Sequence, residues 1–197
     1  MEKISHKRPA AGQVIIVDKH VQVTLPALAK YDYRTTPSSW EELVQIIEVE
    51  QDIYKLSRSR QQQHDYEVFR HHMKEQYRST IDFILISKLG VEAIEDTGDG
   101  DTNISMQPKW KAKHSLADMQ TPIMKLIPND FPYFNEDGIE HYIYWKTLKP
   151  ITDQEIDQQK EVLRERFGAS DILFWINPPE LRSIPEIDHV HFLLRKK

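Results

Sequence analysis

The chain has 197 residues, 26 of them basic and 31 acidic, for a formal net charge of −5. That length and a hydrophobic fraction of 39% suit one domain with one apolar core, and a mildly acidic chain has no general attraction for phosphate backbones or anionic lipid. Neither nucleic acid nor membrane is therefore an expected partner, and the absence of cysteine removes disulfides, thiol nucleophiles and thiolate metal sites.

Met1 to Gly12 is polar and basic, without the apolar stretch of a secretory signal. No apolar run approaches the roughly 20 residues that span a bilayer, so the expected location is cytoplasmic. Residues 1–37 read as an N-terminal extension, partly disordered, and 38–197 as a single α+β domain. Within the extension, Val14–Val23 is β-branched but interrupted by Asp18, Lys19 and His20, an incomplete strand pattern.

Helices come first. Ser39 with Glu42 forms a capping box ahead of Trp40, and Leu43, Ile46 and Ile47 follow at helical spacing. A short turn over Ile53 to Leu56 leads to a helix over Gln61–Arg78 with Tyr66, Phe69, Met73 and Tyr77 as its apolar stripe. A third helix starts at Ser79, with Asp82 as cap partner, and stops at Gly90.

Residues 91–122 read as loop. The acidic run from Glu95 to Asn103 resembles a calcium loop in composition only, because Gln107 stands where the closing bidentate Glu belongs. Strand signals follow at Ile123–Ile127, Ile139–Trp145, Asp171–Ile176 and Asp188–Arg195, rich in Ile, Tyr, Trp, Phe and Leu. Between the second and third, a helix over Asp153–Phe167 has Thr152 as cap, Glu155 as box partner and Gly168 as stop. Helices followed by strands predict an α+β fold, with N-terminal helices packed on a mainly antiparallel sheet formed by the C-terminal half.

Two segments carry chemistry-bearing residues. One runs from Asn129, Asp130 and Tyr133 to His141; the other runs from Asn177 and Ser183 to His189 and His191. Alternate strand residues share a face, so His189 and His191 stand roughly 7 Å apart on one side, with Leu193 and Arg195 beyond them. His141 faces the same way as Ile143 and Trp145 on its own strand. If the strands are neighbours, three imidazoles, an Asn and a Ser converge. Imidazole suits proton transfer near neutral pH and grips phosphate or metal. His189, His191 and His141 are thus candidate catalytic groups. Asn129, Asp130, Tyr133, Asn177, Ser183 and Arg195 are candidate ligand contacts. Each also has a plain structural role open to it: an edge-strand His pair, a hydrogen-bonded core His141, an Asx-turn at Asp130, a turn at Asn177-Pro178-Pro179. Trp145 and Trp175 read as core.

The segments Trp40-Glu-Glu-Leu43, Arg70 to Leu89, Asn129-Asp-Phe-Pro-Tyr133, Gly138-Ile-Glu-His141 with Trp145, and Leu173-Phe-Trp-Ile-Asn177 through His189-Val-His191 resemble the fungal N-acetylglucosamine-induced protein 1 family over residues 38–195. The acidic 95–103 loop and the long N-terminal extension depart from it. The resemblance implies a cytoplasmic protein linked by name to an amino-sugar response and supplies no catalytic assignment. The chain end is also similar to histidine-triad nucleotide hydrolases and transferases, through Asn177, Ser183, His189 and His191. There the third triad position is Leu193, so a histidine-triad-like sheet is the variant that this second likeness implies. Three functions stay open: action on a phosphorylated sugar or nucleotide, non-catalytic binding or regulation by a small molecule, and a metal-dependent enzyme with three His ligands. No cofactor is assigned.

Overall fold

The computed structural model describes residues 33–96 and 109–196. The expectations for Met1 to Gly12 and Val14–Val23, and most of the acidic loop, lie outside the described residues. In the first helix, α1 (Trp40–Val44), Ser39 accepts the Glu42 amide, and the helix widens into a π-helical stretch over Gln45–Glu50. Next, α2 (Arg60–Gln76) is closed at its start by a capping box of Ser59 and Gln62. A short α3 (Thr80–Phe83) also widens into a π-helical stretch, Ile84–Lys88, ending before Gly90 at φ +85°. The stop at Gly90 thus holds, while the last turns are looser than an α-helix, with the Leu89 amide donating five residues back to Ile84.

Residues 91–122 are not all loop. Strands β1 (Ala93–Asp96) and β2 (Lys109–Ala112) pair antiparallel as a separate two-stranded sheet. The Asp82 carboxylate ties this hairpin to α3 by accepting the Ala112 amide at 2.8 Å. Its other oxygen takes the Ser79 hydroxyl at 2.6 Å.

The main sheet has β3 (Met124–Pro128), β4 (Ile139–Lys146), β5 (Ala169–Trp175) and β6 (Asp188–Lys196) in the order β3-β4-β6-β5, all antiparallel. Its fourth helix, α4 (Asp153–Phe167), has the Thr152 and Glu155 capping box and ends at Gly168 with φ +69°.

Alternation along β4 and β6 divides the interior in two. Tyr142, Tyr144, Val190, Phe192 and Leu194 pack on Ile156 and Leu163 of α4. The opposite face packs on the N-terminal helices: Leu173, Trp175 and Leu193 meet Trp40, Leu43 and Ile47. Beside them Ile143 and Trp145 meet Phe69, Phe83 and Leu85. Fully buried Leu43, Leu163 and Leu193 each contribute about 2–3 kcal/mol by removal from water. The α+β architecture is that expected from the sequence. No helix among the described residues is long and apolar enough to cross a membrane.

Candidate functional site

The register of β4 against β6 sets Trp145 opposite His189, Ile143 opposite His191, and Leu193 opposite His141. The three imidazoles therefore share the face turned to the N-terminal helices. Between that face and α2 lies a cavity of about 270 Å³. Its far wall comes from Tyr66, Phe69 and Arg70 of α2 and from Ile84 and Lys88 of the π-helical stretch. Arg58, the loop from Ile127 to Tyr133, and the segment from Asn177 to Ile184 complete it.

Of the predicted residues, Asn129, Asp130, Tyr133, Asn177, Ser183, His189 and His191 line this cavity. His141 lies behind them, 5% exposed, with its Nε2 at 3.0 Å from His191 Nδ1. Arg195 is not brought there. It pairs with Asp171 at 3.1 Å and Glu41 at 3.3 Å, 4.9 Å from the Trp40 ring. Strand alternation places it on the imidazole face, but four residues past His191 is roughly 13 Å along the strand.

The imidazoles are held by named partners. Asn177 Nδ2 is 3.2 Å from His191 Nε2, and Asn177 Oδ1 accepts the Trp175 indole N–H at 3.0 Å. Asn129 Nδ2 is 3.2 Å from His141 Nδ1 and 3.4 Å from its Nε2, and Asn129 Oδ1 accepts the Phe131 amide at 3.1 Å. The Asx-type turn expected at Asp130 thus belongs to Asn129, and Asp130 instead forms an ion pair with Lys88. The two tryptophans are both core and stacking surfaces. Trp175 lies parallel to His191, and Trp145 sits 4.7 Å from the His189 ring. Tyr133 stacks on His141.

His189 differs from the other two. Its Nδ1 donates to the Ile187 carbonyl at 3.0 Å, which fixes the proton there. Its Nε2 is then a lone-pair acceptor with no hydrogen-bond partner among the described residues.

Burial keeps all three rings neutral. It pushes the His141 pKa down to about 3, with Arg58 adding to the effect. The same desolvation, helped by His141, His189 and Arg58, holds His191 well below its ordinary value. His189 is also lowered by burial, against an opposing pull from the Ile187 carbonyl. Desolvation raises the Tyr133 phenol. Among the described residues no three His, Asp or Glu side chains are arranged to hold a metal ion.

Sequence reasoning missed Arg58, Tyr66, Arg70 and Lys88. Arg58 is half-buried, donates to the Phe131 carbonyl at 2.8 and 3.2 Å, and lies 4.5 Å from the Tyr66 ring and 5.3 Å from the Tyr133 ring. No carboxylate among the described residues pairs with it. By contrast, Arg70 has Glu67 at 3.3 Å, and Lys88 has Asp130. An Arg in the run Ser57-Arg58-Ser59-Arg60 ahead of a helix carries no pattern that sets it apart.

The chain is 26% identical over 169 residues to the uncharacterized protein YPL067C of Saccharomyces cerevisiae, covering 79% of this chain and 77% of that one. It is 24% identical over 181 residues to N-acetylglucosamine-induced protein 1 of Candida albicans, covering 81% of this chain and 68% of the relative. Among solved structures, the crystal structure of HTC1 matches with 22% identity and a TM-score of 0.48, over 81% of this chain and 85% of that one. The pattern of one family spans residues 39–195, which include every imidazole and amide of the cavity wall, and the chain belongs to that family, described as "Protein of unknown function (DUF3605)".

Proposed function

We propose that the cavity binds a phosphorylated small molecule, a sugar phosphate or a nucleotide. The observation that carries this is Arg58. A half-buried guanidinium at a cavity wall, facing ring surfaces and a carbonyl but no carboxylate, is a charge awaiting an anion. Lys88 and Arg70 add positive charge beside it, and only Asp130 opposes them in the lining. Tyr66, Phe131 and Tyr133 offer ring faces to a sugar or base.

The test is calorimetric titration of the purified chain with nucleoside monophosphates and sugar phosphates. The Candida relative is named for induction by N-acetylglucosamine, so its phosphates and the free sugar join the series. Binding of a phosphorylated compound, with at least tenfold loss for its unphosphorylated form, is expected. Equal affinity for both forms, or no binding across the series, would sink the proposal.

Turnover is a second reading, favoured by the unpartnered Nε2 of His189. Kept neutral by burial, it is competent as a base or nucleophile, whereas both nitrogens of His191 are engaged, Nδ1 by His141 Nε2 and Nε2 by the Asn177 amide. His189→Ala should then abolish product formation while ligand affinity stays within about threefold. Ligand binding with no product from the parent chain leaves the protein a binder.

A further inference from the structure

We infer that the cavity is polarised along the sheet: the phosphoryl group of its ligand sits at the Arg58 end, and the far end of the same ligand presents an O–H or N–H donor to Nε2 of His189. The inference rests on the phosphate reading above and adds which end of the ligand meets which wall. Phosphate is then the handle, and chemistry at His189 acts on a part of the molecule remote from it.

The strand register lays the cavity floor in three steps. His141 stands opposite Leu193, Ile143 opposite His191, and Trp145 opposite His189. The first pair and the third are four residues apart, roughly 13 Å along the strand. The loop from Asn129 to Tyr133 covers the first step, with the Asn129 amide against the His141 ring and Tyr133 stacked on it. The three cations of the lining gather at this loop. Arg58 donates to the Phe131 carbonyl, and Lys88 pairs with Asp130. Arg70 lies 5.7 Å from the Tyr66 ring, which is 5.3 Å from the Phe131 ring. The influence of the cations follows the same axis. Arg58 helps to depress His141 and His191, whereas the cation acting on His189 is Arg182, outside the lining.

The third step is apolar. Trp145 and Ile184 belong to the buried cluster that includes Phe69 and Phe83, and both line the cavity with His189. The Ile187 carbonyl only accepts, so the neutral His189 ring carries its proton on Nδ1 and offers a lone pair at Nε2. Among the described residues, the sealed side-chain atoms that lack a partner belong to His72 and Asn135. Nε2 of His189 is therefore not sealed, and it opens to the cavity that the ring lines. An acceptor in apolar surroundings selects a donor. A phosphate ester, dianionic above its second pKa of about 6, brings only lone pairs and is turned away from Nε2. One compact anion does not reach both ends, whereas a ring between phosphate and donor bridges them. A sugar hydroxyl and a base N–H share that chemistry.

The test uses the full chain, isotopically labelled in histidine and tyrosine, at about pH 8, where such an ester is dianionic. Ring signals are followed by NMR during separate titrations with inorganic phosphate, glucose 6-phosphate and AMP. At least one ester should move the His189 Nε2 resonance upfield together with the Tyr66 and Tyr133 ring signals. Which ester responds separates a hydroxyl from a base N–H. Inorganic phosphate has one end only, and should move the tyrosines while leaving Nε2 in place. Its affinity should fall at least tenfold in Arg58→Gln and stay within about twofold in His189→Ala. Should a variant not fold, the spectra of the parent decide alone. If an ester is converted, its phosphorus resonance should remain that of an ester. Movement of Nε2 by inorganic phosphate, equal loss of phosphate affinity in both variants, an ester that binds with Nε2 unmoved, or release of inorganic phosphate by the parent would overturn the inference. An ester that binds with Nε2 unmoved leaves the phosphate reading standing, whereas no response to phosphate or to either ester removes both.

Discussion

Trp175 and His191 lie face to face, their ring centroids 4.8 Å apart and their planes 7° from parallel, and the same indole donates to the amide that meets the far nitrogen of His191. One side chain thus sets both the plane of the ring and the orientation of its partner. Trp175 is only 5% exposed and packs in the cluster with Leu193 and Trp40. Trp175→Ala should lower stability by about 3–5 kcal/mol, read from urea unfolding. A loss under about 1 kcal/mol would show that the stack contributes little packing.

Acid should destabilise the fold before any carboxylate titrates. His141 has a folded pKa of about 3 against an ordinary 6.5, so between those values the unfolded chain takes up a proton that the folded chain refuses. Its stabilising contribution is complete above 6.5 and is lost as pH falls toward 3, by up to about 1.4 kcal/mol per pH unit. His191 and His189 are lowered too and act in the same direction. Unfolding free energies measured at intervals from about pH 7.5 to about pH 5 should fall steadily below 6.5, and His141→Gln should flatten that slope. A stability that does not change over this interval would contradict neutral buried rings.

Arg58→Gln should weaken binding of a phosphorylated ligand by about tenfold or more, the worth of a charge-assisted hydrogen bond of about 1.5–3 kcal/mol. Because the guanidinium also helps depress the pKa of His141 and His191, the same variant should move both rings' titrations toward higher pH. Loss of affinity without that movement would place Arg58 farther from the imidazoles than its geometry gives.

On the other face of the sheet, Lys146 is buried, with Glu155 oxygens at 2.6 and 2.7 Å and the Pro150 carbonyl at 3.0 Å. Glu155 also completes the α4 capping box. Glu155→Ala leaves a buried ammonium without its counter-ion and removes the Glu155 half of the capping box, and should cost about 3 kcal/mol by thermal or urea unfolding. Replacing both partners with Met at 146 and Ala at 155 should recover much of that loss, since no buried charge remains. Recovery of nothing would assign the loss to the cap.

What the sequence revealed was what local pattern controls. Thr152, Glu155 and Gly168 bound α4 by capping and a left-handed stop, and α4 has those limits. Aromatic and β-branched runs located β4 and β6, and strand alternation put His189 and His191 on one face. The β1–β2 pair was hidden because each strand is only four residues long, and the alternation in Lys109–Ala112 rests on Trp110 and Ala112 alone. It is held from outside by Asp82 on the Ala112 amide and by the Arg78 amide on the Trp110 carbonyl. At the site, the third imidazole comes from β4 rather than from the third alternate position of β6, where Leu193 stands. Only the pairing register brings His141 beside His191. Arg58 was missed because its meaning lies in what surrounds it, two tyrosine rings and a carbonyl from a segment about 70 residues away in the chain.

The sheet stands as a partition, with the cavity on one side and α4 on the other. Opening motions of the two sides are therefore separable. A ligand seated beside α2 should slow amide hydrogen exchange along α2 and the π-helical turns after α3, while exchange in the middle of α4 keeps its unliganded rate. The α4 layer thereby serves as an internal clock, against which protection on the other side of the same molecule can be timed.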